Sequence, residues 1–133
     1  MSTIKVNNLQ NASGGSNSTP EEIEQGRAKA WVNFNGRNTP SIREDYNVSS
    51  ITDLGTGNYR VTFSNAMANA NYTIAGSACE LGGGGNNDAF FGAGRSTNYS
   101  DLHTTTSCTV TVCSASGSNS DRDFISAIIF GDD

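Results

Sequence analysis

With 133 residues, the chain is long enough for one domain with a core, and such a domain buries roughly two-thirds of its unfolded surface. Only 35% of it is apolar and 16% charged, while Asn, Ser, Thr and Gly make up almost half, a mixture that suits turns and solvent-facing strand positions better than long helices. The net charge of −5, with eight Lys and Arg residues scattered singly, speaks against a nucleic-acid partner, and the lack of an apolar run of about 18 residues speaks against membrane insertion.

Taken in chain order, residues 1–10 alternate weakly, with Ile4 and Val6 on one side of a short extended segment. Met1-Ser-Thr-Ile-Lys5 has no apolar signal core, which predicts synthesis and assembly in a cytoplasm. Asn11 to Ser18 reads as a Gly/Ser/Asn linker. A compact helix signal follows. Thr19 can cap, Pro20 sits where its missing N–H costs nothing, and Glu22 completes a Thr-x-x-Glu capping box. Gly26 is expected to end this helix in the left-handed conformation, with Arg27 and Lys29 at its negative end. Ile23 is its only sizeable apolar residue, so the helix must dock on something.

From Ala28 the period changes to two. Ala30, Val32 and Phe34 share one face, and Trp31, Asn33 and Asn35 the other. Next comes one long strand with Tyr46, Val48 and Ser50 on one face. Asp53-Leu-Gly-Thr-Gly-Asn58 predicts a hairpin, and the return strand turns Tyr59, Val61 and Phe63 inward. Tyr72 opens a strand ending near Cys79. Gly82 to Asp88 reads as a loop, Ala89 to Gly94 as a short strand, and Leu102 to Cys113 as a long Thr-rich strand. The last element, Asp123 to Phe130, is apolar on both faces: Phe124, Ile128 and Phe130 on one, Ile125, Ala127 and Ile129 on the other. Such a strand is central in a sandwich or pressed against a second subunit. About seven strands joined by Gly/Asn/Ser turns predict an all-β fold, an antiparallel, jelly-roll-like sandwich over residues 28–133, preceded by an arm, linker and short helix over residues 1–27.

Ala28-Lys-Ala-Trp-Val-Asn-Phe-Asn-Gly36, followed by Ser41-Ile-Arg-Glu-Asp-Tyr-Asn-Val-Ser-Ser-Ile-Thr-Asp-Leu-Gly-Thr-Gly-Asn-Tyr-Arg-Val-Thr-Phe63, resembles a module of tail-fibre and other virion proteins of bacteriophages, notably phages of marine cyanobacteria. The resemblance spans about residues 28–72 and weakens across Gly36 to Pro40. It implies a virion structural protein, a tail-fibre-like appendage subunit made in the host cytoplasm, and phage fibre proteins of this kind are commonly homotrimers. Other virion proteins and host surface polysaccharide are the further partners it implies. A carbohydrate-binding receptor-recognition module is the main alternative, and a head decoration or neck fibre subunit without host contact is another.

No constellation of catalytic residues is apparent, and a non-enzymatic protein without cofactor or metal is expected. Gly82 to Gly85 lacks the Lys-Ser/Thr and the helix that a phosphate-cradling loop needs. His103 is the sole histidine, and Ser100 and Asp101 lie too close to it in sequence for an ordinary triad across strands. Asp88 alone is too little for calcium; Asp121 and Asp123 come closer, yet they more simply solvate the start of the last strand. Cys79, Cys108 and Cys113 fit no zinc spacing and read as free thiols, with a Cys79 disulfide to either of the others as the alternative. Trp31 reads as packing rather than as a sugar platform. If the protein recognises a receptor, loop residues Asn86, Asn87, Asp88, Arg95 and Tyr99 offer the amides, charges and ring that sugars use. The candidate oligomer interface comprises Ile4, Val6, Ile23, Ile125 and Ile129.

Overall fold

A computed structural model describes residues 2–81, 89–93 and 102–132. The alternating segments form two four-stranded antiparallel sheets. The first is ordered β4 (Ser41–Tyr46), β3 (Ala30–Asn35), β10 (Phe124–Phe130), β7 (Thr73–Cys79). The second is ordered β5 (Val48–Asp53), β6 (Asn58–Phe63), β9 (Ser107–Ser114), β8 (Ala89–Ala93). The protein is therefore mostly β, an antiparallel sandwich with one short helix among the described residues. No helix among the described residues is long and apolar enough to cross a membrane.

The core lies between the sheets. Val32, Phe34, Ile125, Ala127 and Ile129 enter it from the first sheet, and Tyr59, Val61, Phe63, Cys108, Val110 and Val112 from the second. Phe34 and Tyr59 meet edge to face across the layers, ring centroids 5.2 Å apart. Tyr59 is completely buried, and its hydroxyl donates to Asp121 at 2.7 Å or Gly36 O at 2.9 Å. That satisfies a polar atom which would otherwise cost stability in the interior.

The expected long strand through Tyr46 and Val48 divides in two. Asn47 takes a left-handed conformation (φ 56°), and the chain passes there from one sheet to the other. Asn tolerates this conformation better than most residues. Its side chain secures the corner, donating to Lys29 O and Asn65 O and accepting from the Asn65 N–H at 2.7 Å. Tyr46 consequently stays 49% exposed while Val48 is buried, so the expectation that both lie on one face of a single strand is corrected. Beyond it a bulge between Val48 and Ser50 turns Ile51, rather than Ser50, towards the core.

The hairpin between β5 and β6 forms as expected. Leu54 N–H donates to Asn58 O, and Gly55 and Gly57 supply the positive φ angles. At Gly57 a Cβ would lie 2.4 Å from the carbonyl oxygen of Val112, so this turn requires glycine for both conformation and space. β9 is shorter than the pattern suggests. Thr104 bends the chain before it, its hydroxyl accepting from the Ser107 and Thr106 N–H groups. Tyr72 closes over this bend through bonds to Thr104 O and Ser107 O, both 2.9 Å.

The arm has more structure than a linker. β1 (Leu9–Gln10) pairs with β2 (Asn17–Ser18), and Asn11 supports the turn by accepting from the Gly15 N–H. Helix α1 (Pro20–Gln25) has both halves of the capping box, with Glu22 N–H to Thr19 Oγ1 at 3.1 Å and Thr19 N–H to Glu22 Oε2 at 2.8 Å. Gly26 ends it in a right-handed conformation (φ −76°), not the left-handed one expected. Glu24 then receives both Arg27 and the buried Lys29, which ties the helix to the start of β3.

Candidate functional site

Strand register assigns the two faces of β10. Ile125, Ala127 and Ile129 pair with Phe34, Val32 and Ala30, the inward residues of β3. Phe124, Ser126, Ile128 and Phe130 therefore lie on the outer face. This corrects the expectation that Ile125 and Ile129 join an oligomer interface: both are fully buried in the chain's own core and cannot reach a partner.

On that outer face, side chains align in rows across the strands. One row runs Tyr46, Trp31, Ile128, Ala75. The next runs Glu44, Asn33, Ser126, Ser77, in which Asn33 Nδ2 donates to Ser126 Oγ at 2.8 Å. Beyond it, the Arg43 guanidinium lies 4.1 Å from the ring centroid of Phe124. The small residues of the second row leave a groove of about 420 Å³ lined by Trp31, Asn33, Ser77, Ser126 and Ile128. Trp31 thus packs half-buried on the outer sheet surface, at the wall of an open groove. The outer face thus carries Trp31, Tyr46, Ile128 and Phe124 beside the charged Arg43 and Glu44.

A second apolar surface lies on the arm. Ile4 is 87%, Leu9 53%, Ile23 44% and Val6 42% exposed, and with Lys5, Asn7 and Pro20 they line a shallow cleft between the arm's first residues and α1. The expected interface residues Ile4, Val6 and Ile23 therefore lie together on one surface, with Leu9 as a further member.

The polar groups at the sandwich end have structural partners. Asp121 accepts from Gly57 N–H and Tyr59 Oη. Burial first, then the bond to Asp121, pushes the Tyr59 hydroxyl well above its ordinary range. Asp123 accepts from Leu81 N–H and pairs with Arg37 Nε at 3.1 Å, and these contacts hold its carboxyl below the usual carboxylate range. Glu80 bridges Arg37 and the buried Arg122. The acidic pair 121/123 is thus spent on backbone amides, a tyrosine and an arginine. Among the described residues no His, Cys, Asp and Glu group could hold a metal.

His103 stacks on Tyr72, centroids 5.0 Å apart, with Nε2 buried and unpartnered, and burial lowers its pKa. His103 also forms an isolated antiparallel bridge with the buried Cys108. All three cysteines are free: Cys108 buried, its thiol pushed up to about 12 by burial, Cys113 half-buried and Cys79 exposed. The candidate receptor residues Asn86, Asn87, Asp88, Arg95 and Tyr99 lie outside the described residues, as do Ser100 and Asp101.

No family model, curated protein or solved structure matches the chain.

Proposed function

We propose that this chain is a bacteriophage virion structural protein, a tail-fibre-like appendage subunit that assembles as a homotrimer and lies where it can contact the host surface. The observation that carries the reading is the pairing of a finished β core with two unfinished apolar surfaces, the outer face around Trp31 and the arm around Ile4. A protein working alone in solution gains nothing from exposing both, whereas a subunit covers them on assembly. The resemblance of residues 28–72 to phage fibre modules supplies the biological setting, and those residues supply much of the core, which is a scaffold role. The reading contains no catalytic step, nucleic acid or cofactor.

Two measurements test it. Antibody labelling of intact particles should place the chain on a projecting appendage at a fixed copy number. Incubation of the purified chain with host cells then separates the host-contacting fibre from its alternatives. Saturable binding to surface polysaccharide by an isolated single chain would favour a receptor-recognition module. Labelling confined to the head or neck, without cell binding, would favour a decoration or neck subunit. Absence from the particle would overturn the reading.

A further inference from the structure

We infer that the groove beside Trp31 receives the N-terminal arm of a second copy of this chain, so that each subunit gives one arm and accepts another. The inference rests on the homo-oligomeric reading above and specifies its interface.

The groove is mostly apolar, the arm's cleft mixes Ile4, Val6 and Leu9 with Lys5 and Asn7, and both are open. Among the described residues, no arm residue lines the groove and no sandwich residue lines the arm's cleft. At the junction the arm is anchored to the sandwich. Lys29 N–H donates to Ile129 O at 2.8 Å, and Glu24 engages both Arg27 and Lys29, fixing α1 at the start of β3. In that position Ile4 and Leu9 stay exposed.

Charge points to the same occupant. Lys5 is the sole basic residue before Arg27, and it sits between Ile4 and Val6 on the apolar arm. Glu44 shares the outer-face row with Asn33, Ser126 and Ser77 and is exposed, whereas Asp45, opposite inward Val32, points to the other face of β4. An arm laid along the groove with Ile4 against Trp31 and Ile128 brings Lys5 near Glu44. Its polar neighbours Asn7 and Asn8 would meet the Asn33, Ser77 and Ser126 row, whose amide and hydroxyls can exchange hydrogen bonds with them. One arm and one groove per chain make a heterologous contact, which repeats until it closes into a ring; three copies closing is the trimeric case.

The chain itself provides the probe, since Trp31 is its only tryptophan and forms the groove wall. Full-length chains carrying either Leu9→Cys or Ser77→Cys, both in a Cys79→Ser background, are mixed and oxidised. A disulfide-linked pair containing one of each chain is the expected product. In the otherwise native chain, Ile4→Glu should shift Trp31 emission to the red and weaken self-association about tenfold or more, since a charge replaces a buried isoleucine. Lys5→Glu should weaken it less, and Glu44→Lys should restore what Lys5→Glu loses. An oligomer of unchanged mass that yields no mixed pair, with Trp31 indifferent to Ile4→Glu, overturns the arm–groove contact and leaves the homo-oligomeric reading standing. Intrachain closure in a chain bearing both cysteines, at a dilution where it is monomeric, overturns the contact too. A native chain that is monomeric throughout overturns both.

Discussion

The sandwich and the arm are opposite solutions to the same requirement. In the sandwich the described inward residues from Ala30 to Ile129 form one buried cluster, and even the buried hydroxyl of Tyr59 has two acceptors within reach. In the arm the local signals are equally well formed, with a complete capping box and a tight hairpin, yet its large apolar residues stay in solvent. Local structure and burial are separate achievements. The arm has the first without the second, and the proposed assembly would supply the burial it lacks.

Predictions can break this contrast or sharpen it. The largest effect belongs to the core: Phe34→Ala should cost about 3–5 kcal/mol of global stability, read by denaturant unfolding, because it opens a cavity at the centre of both layers. Tyr59→Phe should cost about 1–3 kcal/mol. It strips the bond to Asp121 and Gly36 while leaving the ring packed, so the midpoint should fall without a change in denaturant slope. Thr19→Ala should remove about 1 kcal/mol from the helix alone. Hydrogen exchange would then quicken at residues 20–25 and stay unchanged in β3, β6, β9 and β10; a matching loss in the strands would show that arm and sandwich are one cooperative unit.

The smallest effect is a pH dependence inside the sandwich. His103 has a lowered pKa in the folded chain through burial, so the unfolded chain binds that proton more tightly. Its contribution is complete above the unfolded value of about 6.5 and is lost as pH falls through the folded value. Asp123, depressed by its bonds to Leu81 and Arg37, adds a loss of the same sign at lower pH. Replacing His103 with Phe should flatten the stability profile just below about pH 6.5 and leave the more acidic limb in place.

Much of the sandwich was legible in the alternation of the chain. Tyr59, Val61 and Phe63 are buried as a period of two requires, and the Thr19–Glu22 box needed only four residues to be read. Alternation says which residues share a face, not which sheet a strand joins. Tyr46 and Val48 therefore looked alike until Asn47 turned the chain between layers. The same limit affected β10. Both of its faces are apolar, and only the pairing with Phe34, Val32 and Ala30 decides that Ile125 and Ile129 are core while Phe124, Ile128 and Phe130 look outward. The outer face was legible in part: Trp31 and Asn33 were seen to share a face, but the row through Ser126 and Ser77 joins residues far apart in sequence and follows from register alone. The partners of Asp121 were equally hidden, since Gly57 and Tyr59 lie more than 60 positions away.

Under the proposed assembly, the sandwich is finished within one chain while the arm and the outer face are covered by other copies. Sedimentation of the full chain across a dilution series tests it most directly. The account predicts a species near three times the 13.9 kDa chain mass, with Trp31 emission moving to the red as dilution separates the copies. A mass of one chain at every concentration, with constant emission, would contradict it.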